Sequence, residues 1–581
     1  MSAHIFLARL LNSLRLRAGL GSSAGLVALC GAWILFNLVG HDPWKPDEAY
    51  SFGLVLDQLE RGDWVVPMLA GEPFLEKPPL FFIVASGFAR VFGSLLPLHD
   101  AARLASGFFI AVALVFAALS ACELNRGRHG WTTVLILLGC LGLYFRAHQL
   151  VTDVALFAGI SIGMYGLACG RRLCVAGGLA LGAGTAIAFL SKGLLGPGIL
   201  GLAGLALPLF PGWRDRTYAW TVAIAATVAL PPIASWTLAL YGRSPELFRT
   251  WLIANNFGRF LGFSDNNLHQ PPFFYAYTML WYGFPALPLA GWALWSAYRN
   301  RDGIRTRPAF QMPLVVCVVT LTVLGLAADA RELYLMPALL PLALLAAAGT
   351  EHLPACAATH LDRLGRWAFG IAALALWLGW IALVTGAPLA VAQALATYHP
   401  GFLAKPWWPA LVAAGVATAA WIAMTWSNSA TLRGALIQWT GGIALCGTLI
   451  GTLWLPYLDA GKSYRAMIAS LLESLPDVSC VASRNLGEPQ RALLDYFGRL
   501  RTVREEVVAD PPCEALLVQG SHGSAAPAHG HGWMPVWEGR RAGDYRELYR
   551  LYVRKVDLTA LAAAARARSP PMQPSETSSP R

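Results

Sequence analysis

The sequence predicts a polytopic α-helical membrane protein of about 13 transmembrane helices with a small C-terminal α/β domain outside the membrane. Three observations predict it. Of 581 residues, 56% are hydrophobic and only 13% are charged, against about 25% charged in a soluble domain, and mean hydropathy is +0.50. The apolar residues gather into segments of about 20, the length that crosses a bilayer as a helix. Beyond Pro456 the composition turns polar and alternates helical with strand periodicity. A water-soluble enzyme of this size, a disordered chain and a collagen-like chain are excluded.

Residues 1–20 carry Arg9, Arg15 and Arg17 and no acid, and the first apolar segment runs from Ala24 to Gly40. No polar mature domain and no clear small-residue cleavage pattern follow it, so it reads as a retained first helix rather than a signal peptide. Further spans are expected near 104–122, 131–145, 153–170, 174–191, 193–210, 218–240, 274–297, 313–328, 333–350, 367–387, 408–426 and 435–456. An odd count puts the two termini on opposite sides. Threaded with the N-terminus in the cytoplasm, the inside segments hold roughly 16 Lys or Arg and the short outside loops roughly 7, the bias expected of cytoplasmic loops. Counting Pro79–Leu96 as a span would invert that bias. It is therefore read as a helix lying at the membrane surface, within a long first outside loop of residues 41–103. The net charge of +11 belongs to the same loop asymmetry, and no nucleic-acid partner is expected.

Residues 1–456 thus form the membrane domain and 457–568 the outside α/β domain. In the latter, Tyr464–Leu475 and Pro489–Gly498 read as helices, and Val478–Ala482, Ala515–Gln519 and Tyr545–Val556 as strands. The Pro/Ser-rich tail 569–581 reads as disordered. Of ten cysteines only Cys480 and Cys513 lie in this polar region, where an oxidising compartment would let them pair.

Residues able to do chemistry sit at segment ends assigned to one face. The first outside loop opens with Lys45-Pro46-Asp47-Glu48-Ala49-Tyr50 and continues through Gly62-Asp63-Trp64-Val65-Val66-Pro67 to Glu76-Lys77-Pro78-Pro79-Leu80. Asp153 follows Thr152 at the start of an apolar run, a place that also suits helix capping. Lys192, in Ser191-Lys192-Gly193, fits equally a lysine that snorkels to the interface. Arg331 stands in Asp329-Ala330-Arg331-Glu332. The loop 241–273 holds Arg259 and ends in His269-Gln270-Pro271-Pro272-Phe273. Glu76 and His269 are the candidate ligands for a divalent metal, although no spacing requires one. Carboxylates and cations at one membrane face suit a lipid-linked phosphosugar. Its phosphate leaving group needs clamping by Lys or Arg, and a carboxylate deprotonates a hydroxyl acceptor or positions an amino sugar.

The first-loop motifs, with Thr152-Asp153, Ser191-Lys192-Gly193 and His269-Gln270-Pro271-Pro272-Phe273, resemble those of the bacterial polyprenyl-phosphate glycosyltransferases. That group includes the aminoarabinose lipid A transferases, within the protein O-mannosyltransferase superfamily. The resemblance implies a GT-C fold in the bacterial inner membrane, with the active site and C-terminal domain facing the periplasm. It implies undecaprenyl phosphate-linked sugar as donor and lipid A phosphate as acceptor. By position, Asp47 would be the principal catalytic carboxylate, Asp153 the second and Lys77 the phosphate clamp. Glu48, Tyr50, Glu76, Lys192, Arg259, His269 and Arg331 would contact substrate. The segment before His269, Asp265-Asn266-Asn267-Leu268, lacks the additional His or Arg often found there in the family. No organic cofactor is expected, and a divalent metal on Glu76 and His269 stays open. Two other functions remain: hexose transfer from polyprenyl phosphate to protein or surface polysaccharide, and a non-enzymatic flippase or transporter of lipid-linked sugar. A transporter would place its ionisable groups near mid-membrane in paired repeats, a pattern not seen here.

Overall fold

A computed structural model of the chain describes residues 23–554, apart from 264–269, 300–303, 400–401, 403, 428–430, 522–531 and 545. It divides into two compact units, Met1–Ala460 and Gly461–Arg581.

The first unit is helical apart from a short hairpin. Helix α1 (Ser23–Leu35) leads into α2 (Asp47–Arg61). Pro46 precedes α2, Asp47 and Glu48 place negative charge in its first turn, and Gly62 ends it at φ 67° with its N–H donated to Gln58 O. The hairpin pairs Met68–Leu69 with Glu72–Pro73. Helix α3 (Leu80–Phe92) follows, burying Phe81, Phe82, Ala85, Ser86 and Ala89 along one stripe. Its 13 residues reach only about 20 Å, short of a full bilayer crossing, as do the 13 of α1.

Among the described residues, eight helices are long and apolar enough to cross a membrane, or nine if Gly130–Leu138 and Leu141–Ala147, bent by 74°, count as one span. Three of the eight matter below: α4 (Leu98–Leu124), α5 (Asp153–Gly170) and α6 (Cys174–Lys192). All thirteen expected segments fall on helices, but five map to short or broken ones: the bent pair Gly130–Leu138 and Leu141–Ala147, and four others. Those four are α1, Leu195–Leu209, Glu332–Ala348, and the pair Phe274–Tyr282 and Ala286–Arg299. Hydropathy sums apolar side chains and does not see a chain interrupted at Pro285, whose ring and missing N–H break a helix. The length criterion therefore does not reach thirteen. Helix Leu389–Tyr398 was not expected.

Helices α5 and α6 pack backbone to backbone. A Cβ added at Gly166 would stand 2.3 Å from Leu181 N, and one at Gly184 would stand 2.4 Å from Gly163 N. Small residues allow such approach where lipid gives helices no hydrophobic reason to associate.

The second unit carries a five-stranded sheet: β1 (Val481–Arg484), β2 (Val503–Arg504), β3 (Ala515–Ser521), β4 (Trp533–Gly539) and β5 (Glu547–Arg554), ordered β2-β1-β3-β5-β4. Strand β1 runs parallel to β2 and β3, while β5 is antiparallel to β3 and β4. Parallel neighbours need a crossover, and helix Glu488–Gly498 supplies it between β1 and β2. Strand β4 escaped the sequence reading because Pro535 interrupts it. It is an edge strand with a register shift between Pro535 and Trp537, where a proline is tolerated. The tail 569–581 lies outside the described residues.

Val481 pairs with Ala515 at the start of the β1–β3 ladder, which brings the two flanking cysteines together: Cys480 and Cys513 form a disulfide with Cα atoms 5.0 Å apart. Closing 33 residues in this way stabilises a fold by about 3–4 kcal/mol. Alkylation of denatured, unreduced protein is expected to label eight cysteines, and all ten after reduction. Ten without reduction would contradict the pairing.

Candidate active site

The first loop is fixed from below by an ionic network. Arg103 on α4, fully buried, donates from Nε to Glu48 Oε1 at 2.9 Å, and from Nη1 to Asp100 Oδ1 at 2.6 Å and Leu38 O at 3.0 Å. Its Nη2 donates to His41 O at 3.2 Å. Glu48 also accepts from Leu150 N at 3.1 Å and Trp44 N at 3.4 Å. Burial works against its charge, but Arg103, His41 and the Leu150 amide outweigh that and hold its carboxyl below the usual range. Glu48 therefore anchors the turn before α2 and is not among the residues lining the cavity described next.

One turn of α2 carries Asp47 and Tyr50 side by side. The Tyr50 hydroxyl donates to Asp47 Oδ1 at 3.0 Å and accepts from Lys77 Nζ, and the ammonium also sits 4.7 Å from the Tyr50 ring centroid. Burial, then the neighbouring Asp47 and Glu76 carboxylates, push the Tyr50 hydroxyl well above its ordinary value. It stays a neutral donor. Lys77 reaches this position because the hairpin residues Val66 and Leu75 pack into an aromatic cluster with Phe189, Trp236 and Trp251, and Trp236 Nε1 donates to Val65 O at 3.2 Å.

The N-terminus of α5 and the C-terminus of α6 meet at the same place. Lys192 Nζ donates to both Asp153 oxygens at 2.6 Å and lies 4.5 Å from the Tyr334 ring centroid. Tyr334 in turn donates to Asp329 Oδ2 at 3.1 Å. Asp329 is held 3.5 Å from Arg331 Nε, and Arg331 N donates to the Tyr275 hydroxyl at 3.3 Å. Gly193, at φ 69°, turns the chain after Lys192 where a Cβ would stand 2.6 Å from Asn256 Oδ1. That oxygen accepts from Leu194 N at 3.3 Å.

The wall opposite is a π-helical stretch, Thr250–Gly258, a wide winding that recurs at functional sites. It aims Asn255 Nδ2 at Leu75 O, 3.2 Å away, and delivers Arg259, which is ion-paired with Glu76.

These elements enclose a cavity of about 330 Å³ lined at its polar end by Glu76, Lys77, Lys192, Arg259, Asp329 and Tyr334, and elsewhere by apolar side chains such as Leu195, Leu202 and Val323. Lys192 and Arg259 each face a carboxylate, whereas the partner of Lys77 is a neutral hydroxyl. Three cations therefore converge on a slot whose far end is greasy. Asp47 and Asp153 adjoin it through the groups they hold, Tyr50 and Lys192.

Of the residues expected from sequence, Asp47, Tyr50, Glu76, Lys77, Asp153, Lys192, Arg259 and Arg331 fall in this one neighbourhood. His269 lies outside the described residues, and among those described no group of three or more His, Cys, Asp or Glu is placed to hold a metal. Asn255, Asp329 and Tyr334 were not singled out, although Asp329 stands two residues before Arg331 in the segment quoted for it. Arg103 was missed because an arginine at the boundary between the outside loop 41–103 and the expected span 104–122 reads as an ordinary interfacial residue.

No protein-family model matches the chain. It is 27% identical, over 69% of its length, to the undecaprenyl phosphate-alpha-4-amino-4-deoxy-L-arabinose arabinosyl transferase of Serratia proteamaculans, covering 71% of that protein. To the enzyme of the same name from Pectobacterium carotovorum it is 28% identical, over 61% of this chain and 65% of the relative. The chain therefore spans about two thirds of the length of these curated relatives. The crystal structure of ArnT from Cupriavidus metallidurans bound to undecaprenyl phosphate superposes with a TM-score of 0.67 at 18% identity, over 92% of this chain and 98% of that one. With its apolar helices and small C-terminal sheet, the chain is a multi-pass membrane protein of the ArnT-like GT-C fold and a relative of the undecaprenyl phosphate-aminoarabinose arabinosyl transferases.

Proposed function

We propose that this protein is a glycosyltransferase that moves 4-amino-4-deoxy-L-arabinose from undecaprenyl phosphate to a lipid A phosphate at the periplasmic face of the bacterial inner membrane. The observation that carries this reading is the convergence of Lys77, Lys192 and Arg259 on one cavity with an apolar far end. Cations at the polar end suit the donor's phosphate, and the apolar end suits its polyprenyl chain. Residues 1–456 are the catalytic membrane domain in this reading, and 457–568 an accessory periplasmic domain.

The chemistry follows from charge. The leaving group is a phosphate, already a weak base, so clamping by Lys77 and its neighbours substitutes for protonation. Lys77 is the best placed of the three, because it gives up only a hydroxyl to bind it. A lipid A phosphate is itself an anionic nucleophile and needs no base. Asp47 then acts on the sugar, pairing with its amino group or stabilising positive charge as the glycosidic bond breaks. Asp153 keeps Lys192 in position.

The test is mass spectrometry of lipid A from cells that lack their own aminoarabinose transferase and express this chain. The expected result is a lipid A phosphate carrying the amino sugar. Unmodified lipid A together with newly glycosylated protein or polysaccharide would instead assign the chain to a different acceptor.

A further inference from the structure

The active-site neighbourhood lies at the start of α4, where Arg103 binds Glu48. Near the other end of the same helix is a second and larger cavity, of about 620 Å³, within the range of roughly 300–1,000 Å³ typical of ligand sites. From Arg103 to Cys122 in its lining, the helix advances roughly 28 Å at 1.5 Å per residue, close to the thickness of a hydrocarbon core. The cavity is therefore at the membrane face opposite the active site, and no step of the proposed transfer uses it.

Its walls are apolar, formed by α1 through Val27 and Ile34 and by α4 through Leu114, Val115 and Ala118. Its charged lining is of one sign: Arg128 and Arg433, with the ionisable His129, and no carboxylate among the described lining residues. Arg128 and His129 share a single acid outside the lining, Glu351, at 3.2 Å and 3.6 Å. Arg128 is 74% and Glu351 49% exposed, and an ion pair so exposed holds weakly, so an anion can take its place. Trp131 stands at the rim, the position an indole prefers at a lipid headgroup level. Greasy walls under a cationic mouth are complementary to one kind of molecule.

We propose that this cavity is a binding site for an anionic phospholipid of the leaflet opposite the active site, its acyl chain between α1 and α4 and its phosphate against Arg128 and Arg433. Basic pockets between transmembrane helices select anionic headgroups in this way. Gly31 lines the cavity, and a Cβ added there meets nothing within 4 Å, so Gly31→Phe starts an aromatic ring into the space between α1 and α4.

Native mass spectrometry of the full-length protein in detergent, with phosphatidylglycerol or phosphatidylcholine added at equal concentration, tests this. Retention of one phosphatidylglycerol, favoured about tenfold over phosphatidylcholine, is expected, with the preference falling to near unity in an Arg128→Ala/Arg433→Ala variant. Gly31→Phe is expected to abolish the bound lipid, with an unchanged elution profile on size exclusion. Equal retention of both lipids in the parent protein, or undiminished retention in Gly31→Phe, would overturn the proposal. Deleting residues 2–20 should leave retention unchanged; a marked rise would assign the cavity to the chain's own N-terminal segment and overturn it too.

Discussion

Replacing Asp47 by asparagine is expected to lower the turnover number by about 10²–10³-fold, while the apparent affinity for the polyprenyl donor changes by no more than about threefold. The substitution keeps the acceptor oxygen that the Tyr50 hydroxyl uses, so the Tyr50–Lys77 contact survives and the donor phosphate is still clamped. What disappears is one negative charge beside the sugar, where positive charge develops as the glycosidic bond breaks. Steady-state kinetics with purified protein and synthetic donor check this. An asparagine variant with most of the parent's turnover would remove Asp47 from the mechanism altogether.

Arg103→Met is expected to destabilise the membrane unit by about 3–5 kcal/mol, since it leaves carboxylates buried without their cation. Glu48 is 3% and Asp100 3% exposed, and both lie against the guanidinium. Methionine keeps the unbranched stem of the side chain and supplies no charge. In detergent the variant should unfold well below the parent temperature, or fail to accumulate. The parent carries a pH signature of the same network. Because Glu48 is held below the ordinary carboxylate value, its contribution is complete at neutral pH and is lost as pH falls through the lowered folded value. Removing Arg103 should therefore cost most near neutrality and flatten the acid limb of a melting-temperature profile. An Arg103→Met protein as stable as the parent at neutral pH would show that the network contributes nothing to folding.

Much of this was legible in the sequence because membrane chains write their constraints in composition. Helix α3, at 13 residues, is as short as α1, so the placing of Pro79–Leu96 at the surface rests on the charge bias of the loops. The same threading put Asp47, Asp153, Lys77 and Lys192 at one face, and they meet there. The geometry within that face was not legible. Nothing local says that Tyr50 stands between Asp47 and Lys77, or that Tyr334 covers Lys192, because both contacts are set by tertiary packing. Breaks in spans were hidden for a related reason: a hydropathy sum treats Phe284-Pro285 as two more apolar residues. Strand β4 was hidden by Pro535, which is informative only once the strand is known to be an edge.

The contact between α5 and α6 has a consequence for how such a protein diversifies. Two main chains that touch leave no room for a larger side chain at Gly166 or Gly184, so the Asp153–Lys192 wall resists reshaping by stepwise substitution. The facing wall, the π-helical stretch with Asn255 and Asn256, meets its neighbours through side-chain hydrogen bonds rather than through touching main chains, and so accepts substitution more readily. Any divergence in which sugar is accepted should therefore accumulate on that side first, around a fixed jaw that descendants inherit intact.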